Sequence, residues 1–214
     1  MEGMVIAMTA ISKLFLAKMH EKSVYNIQAI SNISSIIRHG LLSYELASAL
    51  QHESVAMSDV QNKRSNVIIP QGKPLHSYAS MYFDPRNPMM YRRQNIAERL
   101  CVLAISPSVL DWEGTILSDG NAASEYSRFY SPEEGLFKLD FEKIYKKWWT
   151  DDNAQEQLRL KRIKCAEVLV PNSVAYEYII GAIVVNEHSQ QFLISQGFQK
   201  KISIAPKVFF RKED

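Results

Sequence analysis

The chain contains few cysteines and lacks the sequence motifs of the common nucleotide and metal sites. Its two cysteines, Cys101 and Cys165, each lie in an apolar run, which is typical of reduced, buried thiols in a cytosolic protein. They are too few and too far apart for a zinc site. The sequence has no GxGxxG, no P-loop and no HExxH, so any nucleotide would be bound in a less familiar kind of cleft.

The chain also lacks an apolar run long enough to cross a bilayer. Residues 4–17 are apolar, but Lys13 interrupts them and the run is too short to span. Glu2 has the wrong charge for the start of a secretory signal. We therefore expect an amphipathic N-terminal helix. Its apolar side would carry Met8, Ile11, Phe15 and Met19.

Neither the charge nor the composition is extreme. With 46% apolar and 22% charged residues, the chain has an ordinary globular composition that supports a core. Its 214 residues suit a single domain, 1–214, with a helical extension at 1–22. The formal net charge of +2 allows a nucleic-acid partner only through a local basic patch.

Apolar patterning predicts a mixed α and β fold, without the regular alternation of a doubly wound sheet. Strands are predicted at 24–30, 74–83, 100–105, 115–117, 164–171, 178–185, 202–204 and 208–211. Helices are predicted from Asn32 to Gly40, at 43–50, from Ser131, and at 141–149, 154–163 and 187–195. The segment 52–66 is predicted as a polar loop, and the strand at 100–105, as the most apolar, is expected to be central.

One carboxylate, Glu167, lies inside the apolar strand predicted at 164–171. A charged carboxylate away from water needs a hydrogen-bonding or charged partner. One interpretation places Glu167 on the solvated face of an edge strand. The other places it at the floor of a cleft, ready for a ligand hydroxyl or a reacting proton.

Two stretches combine basic and aromatic side chains. Residues 89–93 contain Arg92 and Arg93 beside methionine and tyrosine, a mixture that can stack a ring and hold phosphates. The predicted helix 141–149 carries lysines beside tyrosine and tryptophan, and it could grip a single strand of nucleic acid. Both stretches could equally be aromatic core edges beside exposed cations, and the patterns alone leave this open.

Five blocks, in order along the chain, resemble the DarT family of DNA ADP-ribosyltransferase toxins. Tyr82-Phe83-Asp84-Pro85-Arg86-Asn87-Pro88-Met89, for example, is similar to the family signature aromatic-Phe-Asn-Pro-Arg-x-Pro-Met. The five blocks are residues 25–43, 59–64, 82–89, 118–123 and 166–171. The resemblance extends over roughly residues 24–205.

This resemblance implies an α+β chain with the PARP-like ADP-ribosyltransferase fold, in which two small antiparallel sheets flank an NAD cleft and helices lie at the periphery. It implies transfer of ADP-ribose from NAD onto a base of single-stranded DNA, with release of nicotinamide. NAD would be a co-substrate and no metal would take part. The expected setting is the bacterial cytoplasm, without a membrane partner, where a macrodomain antitoxin, DarG, restrains the toxin.

The resemblance also assigns site residues. Glu167 would hold a ribose hydroxyl near the developing positive charge and accept the proton of the base. Arg64 would position phosphate and base, since a guanidinium stays protonated and is a poor base. NAD contacts are expected from Tyr25, Asn26, Gln28, Gly40, Leu41, Arg64, Tyr82 and Met89. DNA contacts are expected from Arg86, Arg92, Arg93, Asp119, Asn121, Ala122, Lys146 and Trp148.

The first block departs from the family pattern. Asn26 and Gln28 stand where the family has histidine and threonine, but both amides can still donate and accept hydrogen bonds. Ala29 stands where a second histidine often follows. The Asn-x-Gln pair favours the branch that modifies guanine over the branch that modifies thymine.

Two other functions remain open. One is a protein- or RNA-directed ADP-ribosyltransferase on the same fold. The other is a non-catalytic module that binds single strands through Arg92, Arg93, Lys146 and Trp148. A nuclease is disfavoured, because no paired acidic residue with a nearby lysine accompanies Glu167 on its strand. The ADP-ribosyltransferase interpretation requires Glu167 and Arg64 to converge in one cleft.

Overall fold

A computed structural model describes residues 10–20, 22–55, 58–70 and 73–211 of the chain. The strands in these ranges are β1 (Val24–Ala29), β2 (Leu41–Leu42), β3 (Ile68–Ile69), β4 (Lys73–Pro74), β5 (Tyr78–Tyr82), β6 (Leu100–Ile105), β7 (Ile116–Ser118), β8 (Phe129–Tyr130), β9 (Glu167–Pro171), β10 (Ser173–Val174), β11 (Ile179–Val184) and β12 (Lys201–Ile204). The α-helices are α1 (Ala10–Lys18), α2 (Ile33–His39), α3 (Tyr44–Ala47), α4 (Ser58–Arg64), α5 (Pro88–Arg92), α6 (Pro132–Lys138), α7 (Phe141–Ile144), α8 (Ala154–Ile163) and α9 (Glu187–Ser195).

The main sheet has eight strands in the order β12-β11-β6-β1-β5-β9-β7-β8. Every neighbouring pair is antiparallel except β11 and β12, which are parallel. β2 pairs with β10, and β3 with β4, in two small ribbons. The α+β fold predicted from the sequence is confirmed, although the main sheet is larger than the two small sheets expected.

The sheet is nearly divided in the middle. β1 pairs with β6 along its whole length, but β1 meets β5 at one register pair, Tyr25 with Tyr82. Beyond that pair the two strands no longer form a ladder, and the side chain of Asn26 donates to the carbonyl oxygen of Ser80 at 2.8 Å. A cleft opens where the two halves diverge.

The interior strands have the continuous apolar sequence of strands buried on both faces. Val168, Leu169 and Val170 of β9 are essentially inaccessible to solvent, as is most of β6. Strands with both faces covered lose the polar alternation of a half-solvated sheet. β6 lies inside the sheet, as its composition predicts, and β9 lies between β5 and β7.

The N-terminal helix packs into the main core. Phe15 of α1 is fully buried, and its ring centroid lies 5.9 Å from that of Phe83 and 6.4 Å from that of Phe141. The helix expected at the start of the chain is therefore present at Ala10–Lys18. Met8, which was expected on its apolar side, lies outside the described residues.

The helices predicted at 154–163 and 187–195 are confirmed as α8 and α9. α6 begins after Ser131, as predicted, and the Ser131 hydroxyl accepts from the N–H of Glu134 at 3.3 Å, which is an ordinary N-cap. The helix expected at 43–50 is shorter, Tyr44–Ala47.

The predicted polar loop at 52–66 is wrong in its second half, which forms α4. Asp59 lies in the first turn of this helix and Lys63 and Arg64 in the last, an order that suits the helix dipole. The helix has no apolar stripe, and the main buried contact of the helix is the one that its last residue, Arg64, makes with Glu167. Hydrophobic periodicity therefore gave no sign of it.

Two predictions near the C-terminal half are also wrong. The helix expected at 141–149 ends at Ile144, and the rings of Trp148 and Trp149 pack against Tyr91 and Phe210 instead. At 208–211, predicted as a strand, the chain forms a 3-10 turn, Pro206–Phe209. Proline at its start has no N–H to give to a ladder. Within the described ranges, no helix is both long and apolar enough to span a membrane.

Candidate active site

A cavity of about 520 Å³ lies where the two halves of the main sheet diverge; this cavity is called the cleft below. Its floor carries Glu167 from β9, Ser80 from β5 and Arg64 from the last turn of α4. Because Glu167 lies opposite Tyr82 in the β5–β9 ladder, and alternate residues share a face, Ser80, Tyr82 and Glu167 all point to the same side of the sheet.

Arg64 and Glu167 form a two-pronged ion pair. Nη1 of Arg64 donates to Oε1 of Glu167 and Nη2 donates to Oε2, both at 3.1 Å. Nη2 also donates to the hydroxyl of Ser80 at 2.6 Å. The side chains of Arg64 and Glu167 are 10% and 1% exposed, so the cleft-floor interpretation of Glu167 agrees with its position and the solvated-edge interpretation is wrong.

The loop after β7 supplies a third donor to the carboxylate. The backbone N–H of Ala122 donates to Oε1 of Glu167 at 2.8 Å. Ser118 shapes the loop, because its hydroxyl donates to the carbonyl oxygen of Gly120 at 2.7 Å and accepts from the N–H of Glu167 at 3.2 Å. A Cβ on Gly120 would lie 2.8 Å from Cγ and 3.0 Å from the carbonyl oxygen of Arg162, so glycine allows the loop to pass close to the end of α8.

The electrostatics of the site keep Arg64 charged and keep His76, Tyr82 and Cys165 neutral. Burial alone would lower the pKa of Arg64, but the charge and hydrogen bonds of Glu167 outweigh it and raise that pKa above its usual value. Burial, together with the charge of Arg64, lowers the pKa of His76. Burial and the charge of Glu167 raise the pKa of Tyr82 and bring the pKa of Cys165 to about 12. Cys165 therefore stays a protonated, unreactive thiol.

Most of the residues expected to contact NAD line the cleft. These are Asn26, Gln28, Leu41, Arg64, Tyr82 and Met89. Tyr25 instead packs in the apolar cluster around Ile27, and Ala29 is buried opposite Leu100 of β6. Gly40 has a φ of +79°, and a Cβ there would lie 2.6 Å from the carbonyl oxygen of Val174. Gly40 therefore allows the close approach of β2 and β10 that places Leu41.

The Asn26 side chain has an unused acceptor. Its Nδ2 must be the atom that faces Ser80, because a carbonyl oxygen can only accept. Its Oδ1 is buried and has no hydrogen-bond partner among the described residues. A buried polar atom without a partner is unusual in a folded protein, and a ligand that donates an N–H or O–H there would satisfy it.

The residues expected to contact DNA fall in two places. Arg92 and Asn121 line the cleft, Ala122 holds Glu167, and Asp119 is paired with Arg162 at 2.7 Å. Arg93 donates to the carbonyl oxygen of Val55 at 2.9 Å.

The remaining three lie apart from the cleft lining. The guanidinium of Arg86 lies 4.5 Å from the ring centroid of Trp148 and 4.1 Å from that of Phe210. Trp148 and Lys146 are exposed. Arg86 and Trp148 form a basic and aromatic surface, Lys146 lies two residues before Trp148 in the chain, and contact of the three with DNA stays a prediction.

Several cleft residues were not identified from the sequence. They are Tyr44, Glu53, His76, Ser80, Ser124, Leu158, Lys161 and Arg162. Leu158, Lys161 and Arg162 follow the i, i+3, i+4 spacing of one face of α8, a signal that was available in the sequence. Tyr44 and His76 come together only in the fold, with ring centroids 4.2 Å apart. The described part of the chain contains no group of three or more histidine, cysteine or acidic side chains that could hold a metal ion.

The chain matches known proteins along most of its length. The DarT family model, with the description "ssDNA thymidine ADP-ribosyltransferase", matches residues 25–210. The DNA ADP-ribosyl transferase of Thermus sp. (strain 2.9) is 28% identical over 201 residues, which cover 89% of this chain and 94% of that protein. The structure of Thermus sp. 2.9 DarT in complex with ADP-ribosylated ssDNA has a TM-score of 0.73 at 26% identity and covers 87% of this chain and 95% of its own.

A longer relative matches only in part. The DNA ADP-ribosyl transferase-DNA ADP-ribosyl glycohydrolase fusion protein of Thermosipho africanus (strain H17ap60334) is 28% identical over 177 residues. These residues are 78% of this chain but 43% of the fusion protein, so the chain spans less than half of that relative. With the family model matched from residue 25 to residue 210, and with the fold shared, the chain belongs to the DarT family.

Proposed function

We propose that this chain transfers ADP-ribose from NAD onto a base of single-stranded DNA and releases nicotinamide. The observation that carries the proposal is the buried Arg64–Glu167 pair at the floor of the cleft. Membership of the DarT family supports it, as does the relative solved with ADP-ribosylated ssDNA.

The cleft has the chemistry that a dinucleotide needs. Asn26 offers a buried acceptor without a partner among the described residues, and Gln28 offers a second amide on the same face of β1. Tyr82, a neutral phenol, and Met89 give apolar surface for a flat ring. These residues would bind and orient NAD. Cleavage of its nicotinamide–ribose bond would transfer ADP-ribose to the base and release nicotinamide.

Glu167 has one acceptor position left for chemistry. A carboxylate offers about four lone-pair positions, and Arg64 and Ala122 occupy three of them, two on Oε1 and one on Oε2. The open position on Oε2 would accept a ribose hydroxyl or the proton of the attacking base. A fixed negative charge beside a ribose that becomes positive stabilises the transition state more than the ground state.

Arg64 would act by positioning. Its pKa is raised by Glu167, so it does not take up a proton from the base at neutral pH, and Glu167 is the proton acceptor. The planar guanidinium holds both carboxylate oxygens at once, which fixes the direction of the open lone pair on Oε2. Lysine could not reproduce this geometry.

The proposed biological role is that of a toxin in a bacterial toxin–antitoxin system, acting in the cytoplasm. A bulky adduct on a template base obstructs base pairing, so a cell needs a means to remove it. The Thermosipho africanus relative carries a DNA ADP-ribosyl glycohydrolase in the same chain. We propose a macrodomain antitoxin of the DarG type as the partner of this chain.

The most specific part of the proposal is the identity of the DNA base that receives ADP-ribose. Asn26 and Gln28 resemble the guanine-modifying branch, whereas the description of the matching family model names thymidine. We propose guanine, because Asn26 and Gln28 together resemble that branch more than the thymine-modifying one.

Mass spectrometry of oligonucleotides tests the proposal. Single-stranded oligonucleotides that each lack one base are incubated with protein and NAD, and Glu167→Gln serves as the control. We expect one ADP-ribosyl group on every oligonucleotide that contains guanine. Modification that requires thymine would refute the choice of base alone. ADP-ribose attached to protein or RNA but to no DNA would favour a protein- or RNA-directed ADP-ribosyltransferase. DNA binding without consumption of NAD would favour a non-catalytic module.

A further inference from the structure

Asn32 makes an unexpected set of contacts between β1 and the segment 51–55. It stands at the N-cap position of α2, but its side chain makes no capping hydrogen bond. Its Oδ1 accepts from the N–H of Glu53 at 2.9 Å. Its Nδ2 donates to the carbonyl oxygen of Glu53 at 2.8 Å and to Oε1 of Gln28 at 3.2 Å.

These contacts fix the orientation of the Asn32 side-chain amide and, through it, that of Gln28. A backbone N–H can only donate and a backbone carbonyl can only accept, so the Glu53 backbone decides which end of the Asn32 amide is oxygen. Asn32 therefore presents its nitrogen to Gln28, and Gln28 must answer with its oxygen. The nitrogen of Gln28, which has no protein partner in the described part of the chain, is left for the cleft that Gln28 lines.

The neighbouring amide is fixed with the opposite polarity. The carbonyl oxygen of Ser80 holds the nitrogen of Asn26, which leaves the buried Oδ1 of Asn26 as an acceptor. Asn26 and Gln28 are two residues apart on β1 and share a face. This wall of the cleft therefore presents one acceptor and one donor side by side.

We infer that Asn32 is a positioning residue: through its bond to Gln28, it sets the donor end of that amide into the cleft for recognition of the dinucleotide. The inference rests on the proposed function. The ligand group must donate one hydrogen bond, to Asn26, and accept another, from Gln28. The carboxamide of the nicotinamide ring and a ribose diol both have this chemistry.

Asn32→Asp tests the inference with little change of shape. Aspartate has two oxygens and no N–H, so Gln28 must turn and donate to it, which puts an oxygen into the cleft. We expect the Kd for NAD, measured by titration calorimetry without DNA, to rise about 10- to 100-fold, the loss expected for one misdirected hydrogen bond. The kcat for transfer onto DNA should change far less than the KM for NAD.

Ser31→Ala is the matched control. The Ser31 hydroxyl bonds the Glu53 carboxylate at 2.7 Å, so this change loosens the same segment but leaves the Asn32 amide in place. We expect a Kd for NAD within about twofold of the wild type, since an exposed hydrogen bond contributes little.

A Gln28→Met background separates positioning from a structural effect. If Asn32 acts through Gln28, Asn32→Asp changes the Kd for NAD by less than about twofold in this background, because the pair no longer shares a hydrogen bond. An undiminished effect there would overturn the inference. If Asn32→Asp does not fold, as judged by circular dichroism and melting, Gln28→Glu tests the same donor. Gln28→Glu should weaken NAD binding to a similar extent, and an unchanged Kd would overturn the inference.

ADP-ribose distinguishes the two ligand groups, because it has both riboses but no carboxamide. A loss confined to NAD assigns the Gln28 donor to the carboxamide, and an equal loss with ADP-ribose assigns it to the part that the two ligands share, a ribose or the adenine. No loss with either ligand would refute the role of Asn32. A wild-type protein that binds NAD but modifies no DNA would refute the proposed function while leaving this inference standing.

Discussion

Replacement of Arg64 by glutamine would leave the Glu167 carboxylate buried with one assured N–H donor, from Ala122. Glu167 is 1% exposed, and removal of one partner from a buried ion pair costs about 3–5 kcal/mol, because the other charge is left uncompensated. Glu167→Gln should cost a similar amount, since it leaves the Arg64 guanidinium buried without a counter-charge. Both values are decreases in the free energy of unfolding.

The double variant Arg64→Gln/Glu167→Gln removes both charges and leaves two amides that can bond each other. It should therefore cost less than the sum of the single changes, with a coupling of about 2–3 kcal/mol. Equilibrium urea denaturation measures this, provided that the m-value stays constant across the four proteins.

Arg159 and Glu156 on α8 are the matched control. They form an ion pair at 3.0 Å with side chains 52% and 34% exposed, and such surface pairs couple by less than about 1 kcal/mol. A coupling between Arg64 and Glu167 no larger than that of this control would refute the reasoning, because it would mean that water already compensates the Glu167 charge.

Two further changes, and one further measurement on Arg64→Gln, test other parts of the structure. Gly40→Ala, at a φ of +79° and with a Cβ 2.6 Å from a carbonyl oxygen on β10, should lower the free energy of unfolding by about 2–4 kcal/mol. Asp84→Asn removes the charge that faces Lys164, which is 1% exposed, and should cost about 3 kcal/mol or more in urea denaturation. Burial and Arg64 keep the pKa of His76 below the usual 6.5, so Arg64→Gln should raise that pKa towards 6.5 in an NMR titration of the ring protons.

Each of these changes has its own control or contrary result. Gly197 has a φ of +90° but its Cβ would lie 3.6 Å from the nearest atom, so Gly197→Ala should cost only the strain of about 1–2 kcal/mol; equal losses would show that the Gly40 contact is unimportant. Adding Lys164→Met to Asp84→Asn should recover much of the loss, and no recovery would contradict a charge effect. An unchanged His76 titration in Arg64→Gln would place the two groups further apart than the structure does.

A local sequence feature marked Glu167 and the resemblance to the DarT family supplied Arg64 and most of the cleft residues, but neither gave their arrangement. A charged residue in an apolar run marked Glu167, and the strand and helix boundaries near it follow from periodicity. Whether Glu167 faced solvent or a cleft depended on which strands flank β9, and that pairing is made with residues far away along the chain. The cleft opens because β1 and β5 pair at one register position and then diverge. No local sequence pattern predicts this divergence.

Arg64 shows why the remainder could not be predicted from local patterns. Its helix, α4, has no apolar stripe, and the contact that buries its last residue is with Glu167, 103 positions later in the chain. Asn32 is a similar case. It stands at the N-cap of α2, but its hydrogen bonds go to Gln28, four residues earlier, and to Glu53, which only the fold brings within reach.

The most direct test of the account compares transfer and binding in Glu167→Gln. Transfer of ADP-ribose to an oligonucleotide is followed by mass spectrometry at saturating NAD, and the Kd for NAD is measured on the same preparation. We expect the transfer rate to fall by about 10²- to 10⁴-fold, the contribution typical of a positioned acid or base, while the Kd for NAD stays within about tenfold of wild type. Transfer at the wild-type rate by a folded Glu167→Gln protein would contradict the central claim that this carboxylate, held by Arg64, does the chemistry.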